Sequence, residues 1–97
     1  MGHWHSIEPT NLTRQDANLG WVFANYTEAP SENSEHHWYH ALHFRNQDRS
    51  CFGIKVFEGL VHQDKVRRTA TRIVQDADYR ASLLSDDPEL PVQWKRR

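Results

Sequence analysis

The stretch His36-His37-Trp38-Tyr39-His40-Ala41-Leu42-His43-Phe44 decides the fold, because it can be read with two periods that have different consequences. As a strand it aligns His36, Trp38, His40, Leu42 and Phe44 on one face and His37, Tyr39 and His43 on the other. As a helix it stacks Trp38 over Leu42 and gathers His36, His40 and His43 on one side at metal-ligand spacing. The sequence that follows selects the strand. Cys51 to Glu58 alternates Phe52, Ile54 and Val56 on one side, and Asn46-Gln47-Asp48-Arg49-Ser50 is a polar connection of hairpin length. The expected result is an antiparallel pair, with Trp38, Leu42 and Phe44 in the core and His37, Tyr39 and His43 turned toward a partner.

Working outward, Leu19 to Thr27 is rich in aromatic and β-branched residues and reads as a strand buried on both faces. Trp21 and Phe23 point one way and Val22 and Tyr26 the other. Trp4 to Glu8 reads as an edge strand or ordered arm closed by Pro9. Thr13, with Asp16 three positions on, can cap one short helical turn. Glu28 to Glu35 has the composition of a solvated loop.

After Gly59, Asp64 can cap a helix reaching about Leu84, with an apolar stripe of Val66, Ala70, Ile73, Val74, Ala77, Ala81 and Leu84. A kink or break is expected near Asp76 to Asp78, because Tyr79 and Leu83 fall off that stripe. Asp86-Asp87-Pro88 ends the helix, and Leu90 to Trp94 reads as a last edge strand or packed tail. The predicted class is α+β, a mostly antiparallel sheet of three to five strands packed against one long helix in the C-terminal half. One domain over residues 1–97 is expected, with 1–10 as N-terminal arm or edge strand and 86–97 as an extended tail.

Composition narrows the function classes. The net charge is −1, which argues against nonspecific attraction to nucleic acid or anionic membrane over the whole surface. No apolar run approaches the ~20 residues that span a bilayer, and the N-terminus lacks the apolar core of a signal peptide. A lone Cys51 forms no internal disulfide and needs no oxidising compartment, so a cytoplasmic protein is expected.

Seven histidines in 97 residues raise the question of a metal. In a strand His3 and His5 share a side about 7 Å apart, a weak candidate pair that still lacks a third ligand, whereas His36 and His40 lie about 13 Å apart, too far for one ion. No metal and no cofactor is predicted. Cys51 opens an apolar strand and reads as a small buried hydrophobe, and no phosphate-binding glycine loop, nucleophile elbow or paired-carboxylate signature is present. A non-catalytic protein is the preferred reading.

The strongest functional clue is an excess of aromatic side chains over what one sheet and one helix can hide. A second apolar sheet face needs a cover, and another copy of the chain is the commonest one. The expectation is a small intracellular binding or assembly domain that self-associates, as a dimer, through Val22, Tyr26, His37, Trp38, Tyr39, His40 and His43. The alternative cover is a small molecule, or a substrate in an enzyme, held around Trp38, Tyr39 and His40. A third reading places nucleic-acid phosphates on Lys65, Arg68 and Arg72, which recur at helical spacing away from the apolar stripe; the net negative charge weighs against it.

Overall fold

The computed structural model describes residues 2–30 and 37–85. Four strands, β1 (Gly2–Ser6), β2 (Val22–Glu28), β3 (Tyr39–Arg45) and β4 (Phe52–Glu58), form one antiparallel sheet in the order β1-β2-β3-β4. The decisive stretch is therefore a strand, and its hairpin partner is β4, with Phe44 opposite Gly53 and His40 opposite Phe57. Chain neighbours are sheet neighbours throughout, as short connections favour. A one-turn helix, α1 (Arg14–Ala17), precedes β2. As expected, Thr13 caps it, its hydroxyl accepting from the Asp16 N–H at 3.0 Å.

Two helices follow β4, α2 (Gln63–Gln75) and α3 (Ala77–Ser82). The turn into α2 passes through Gly59 at φ +74°, a left-handed conformation that glycine adopts at no steric cost. The helix from Asp64 to Leu84 is broken in two, as the expected kink or break near Asp76 to Asp78 anticipated, and the break is at Asp76. This residue closes α2 through its backbone N–H and opens α3 by accepting the Tyr79 N–H at 3.0 Å. Arg80 reinforces the junction by donating to the Ile73 and Val74 carbonyls at 2.9 and 3.1 Å, two of the acceptors that a helix end leaves unsatisfied.

The break rephases the apolar stripe. Val66, Ala70, Ile73 and Val74 are buried as predicted, but Ala77, Ala81 and Leu84 are exposed, while the off-stripe Tyr79 and Leu83 pack against the core. The cap of α2 is also corrected. His62 occupies the N-cap and its Nδ1 accepts from the Asp64 N–H at 3.1 Å, so Asp64 lies inside the first turn, where its charge suits the helix dipole.

The core sits between α2 and one sheet face. Ile7, Phe23, Leu42, Phe44 and Phe57 meet Val66, Ala70, Ile73 and Val74, with Leu12, Trp21, Val61, Tyr79 and Leu83 around them. Burial of Val66, Ile73 and Val74 contributes about 1.5–3 kcal/mol each. Phe44 lies over Gly53 so closely that a Cβ there would overlap its ring. Thr71 fastens the loop before α1 to α2, its hydroxyl donating to the Thr10 carbonyl at 2.7 Å and accepting the Thr10 N–H at 2.9 Å.

Three further expectations change. Trp38 precedes β3 and is 40% exposed, so it is not core. β2 begins at Val22, leaving Leu19 exposed, and it is not buried on both faces along its length because Val22 is itself exposed. Cys51 is half-buried at the entrance to β4. His36, most of the 28–35 loop and the tail from 86 to 97 lie outside the described residues.

Candidate functional site

Strand alternation and register sort the sheet into two faces. The helix side carries His3 and His5, Phe23 and Asn25, His40, Leu42 and Phe44, then Gly53, Lys55 and Phe57. The opposite face lies away from the helices. Its central row is Trp4, Tyr26, Ala41 and Val56, one residue from each strand.

Small residues at the middle of that face, Ala24 and Ala41, leave room for rings to lie across it. Trp4 packs on Tyr26 with ring centroids 4.9 Å apart and on His43 at 4.8 Å, while Tyr26 meets Tyr39 edge-on at 5.6 Å. Such tilted and edge-on pairs match the aromatic quadrupole and reach beyond simple burial. His43 is enclosed by these rings, and burial lowers its pKa to about 4. Burial, followed by the charge of Glu28, raises the pKa of both Tyr26 and Tyr39, so their hydroxyls stay neutral. Toward the rim, Val22, Tyr39 and Val56 are exposed, the last by half its surface.

On the helix side a short polar relay crosses three strands. The Val61 N–H donates to His40 Nδ1 at 3.1 Å, which places the ring proton on Nε2, from where it is donated to Asn25 Oδ1 at 2.7 Å. Asn25 Nδ2 then donates to His5 Nε2 at 3.0 Å, and Gln63 Nε2 donates to the same nitrogen at 3.1 Å. The Val61 donor fixes the His40 imidazole as neutral. Consistent with this, the His40 pKa is lowered, first by burial and then by His5. His5 Nε2, one nitrogen that the weak His3–His5 metal reading would use, is in contact with both amides. Among the described residues no three His, Cys, Asp or Glu side chains converge on a point where an ion could sit.

The predicted site residues therefore divide. Val22, Tyr26, Tyr39 and His43 share the open face, whereas His40 is a buried member of the relay behind the sheet. The reason is parity: residues 39 and 40 are neighbours in one strand and must point to opposite faces. A pocket built jointly by Tyr39 and His40 is excluded on the same ground. His37 and Trp38 stand exposed before β3 begins. Trp4 and Val56 are open-face residues that the predicted site lacked; the pairing of Trp4 with Tyr26 depends on the β1–β2 register, which sequence does not specify.

Lys65 and Arg72 line a cleft of about 540 Å³ between β4 and α2, whereas Arg68 is exposed and does not line it. Lys55 joins them from β4, another residue without a local signal. Arg72 stacks over the Tyr79 ring at 3.8 Å and approaches Asp76 at 3.9 Å. No helix among the described residues is long and apolar enough to cross a membrane. Comparison with known protein families, with curated proteins and with solved structures found no match to this chain.

Proposed function

We propose that this protein is a small non-catalytic assembly domain of the cytoplasm that pairs with a second copy of itself through the open sheet face. One observation carries the reading: among the described residues the helices pack on one side of the sheet, and the other side bears a cross-strand aromatic row, Trp4, Tyr26 and Tyr39, with Val56 and Val22 exposed beside it. A face of this kind gains by excluding water. Two copies meeting about a twofold axis bury the same patch on each, a self-complementary contact that needs no other component. The neutral states of His43, Tyr26 and Tyr39 suit such a dry contact, since no ionised group has to be desolvated at its centre. The lone Cys51, which requires no oxidising compartment, supports the assignment to the cytoplasm.

The test is the solution mass measured by light scattering over a wide concentration range, on the native chain and on a Tyr39→Lys, Val56→Lys variant. Both side chains are exposed, so each subunit of the variant keeps its fold. The expected outcome is a concentration-dependent dimer for the native chain and a monomer with an unchanged circular dichroism spectrum for the variant. A native chain that stays monomeric at millimolar concentration contradicts the proposal.

A further inference from the structure

A different surface, the outer edge of β4, points to a partner of another kind. Ile54 donates its N–H to the Leu83 carbonyl at 3.1 Å, and the Phe52 carbonyl accepts the Ser85 N–H at 2.9 Å, with Leu84 lying opposite Gly53. The even-numbered residues of β4 thus turn their backbone groups off the sheet, while the odd-numbered ones face β3. Leu83 and Ser85, just after α3, already pair with the first half of this edge. At Val56 and Glu58 the same outward row continues with no hydrogen-bond partner among the described residues. That half of the edge forms one wall of the cleft whose other walls are Val61, Lys65, Thr69 and Arg72 of the α2 side and Tyr79.

We infer that this cleft takes an extended acidic peptide segment of another protein, which adds as a strand to Val56–Glu58. Two properties select that occupant. The alternation of N–H and C=O groups along the edge is matched by a peptide backbone and not by a nucleic acid. Lys55, Lys65 and Arg72 outnumber the single lining carboxylate, Glu58, and acidic side chains of an added strand come within reach of them. A second copy of this chain is disfavoured here, because edge-to-edge pairing would bring the three cations of each subunit close to their duplicates. The edge site uses the outward backbone groups of Val56 and Glu58 and the cations on the helix side, whereas the open face uses the Val56 side chain, so the inference does not depend on dimerisation.

The experiment is a titration of the isotope-labelled full chain with an end-blocked octapeptide of alternating glutamate and valine, followed by amide NMR shifts. Saturable shifts are expected at Val56, Glu58 and Lys65 through Arg72, weakening as salt rises. A Lys65→Glu, Arg72→Glu variant, whose other amide shifts should match the native chain, is expected to bind about tenfold or more weakly. The same peptide N-methylated at alternate amides, which cannot pair along an edge, should give no shifts. Absence of saturable shifts, equal binding of the N-methylated peptide, stronger binding of a duplex RNA at these residues, or shifts at Lys65 through Arg72 on concentrating the chain alone would each overturn the inference.

Discussion

His40 and His43 are three residues apart in one strand and have opposite surroundings. His40 faces the helices and is held neutral by a backbone donor and by Asn25; His43 faces away from them and is held neutral by enclosure among Trp4 and Tyr26. The pH consequence follows from the direction of the shift. The unfolded imidazole of His43 takes up a proton near 6.5 and the folded one only near 4, so its contribution is intact above pH 6.5. It is lost progressively as pH falls from 6.5 to 4, by about 3 kcal/mol in all. Denaturant midpoints measured across that range should therefore fall with acid, and His43→Phe should flatten most of the decline; an equally steep decline in the variant would remove His43 as the cause. The alternation that separates the two histidines was legible in the sequence. Which face receives the helices was not, because both carry aromatic residues and only tertiary packing distinguishes them.

At the scale of elements, the break at Asp76 shapes the C-terminal half. It was visible as a phase error, Tyr79 and Leu83 falling off a stripe that otherwise ran from Val66 to Leu84. The sequence did not show that the break would turn those two residues inward and leave Ala77, Ala81 and Leu84 outside. The His62 cap was equally hidden, since histidine is not among the usual cap residues and the more typical Asp64 stands two positions later. Asp76→Ala removes the side chain that caps α3 and should cost about 1 kcal/mol in chemical denaturation. An unchanged midpoint would mean the junction is held by Arg80 alone. In the sheet, Gly53→Ala forces a methyl into the space of the Phe44 ring and should cost about 1–3 kcal/mol. A variant as stable as the native chain would show that Phe44 is not seated over that glycine.

For the molecule as a whole, the described residues form one layer of helices on a four-stranded sheet, with the sheet's other face rich in aromatic residues. Four Trp, four Phe and three Tyr exceed what a single interface can hide, and the surplus falls at Trp4, Tyr26, Tyr39 and Phe52 on the open side. The positions Val22, Tyr26, Tyr39 and His43 could be assigned to it from alternation alone. Trp4 and the β4 edge could not, because they depend on pairings between segments distant in sequence. The most direct test of the central claim is an isotope-filtered NOE measurement on an equal mixture of labelled and unlabelled native chain, which reports contacts between subunits alone. Cross-peaks linking Trp4, Tyr26, Tyr39 and Val56 of one subunit to the same group in the other are predicted. A concentrated sample giving no such cross-peaks, or giving them only from other surfaces, would contradict self-association through the open face.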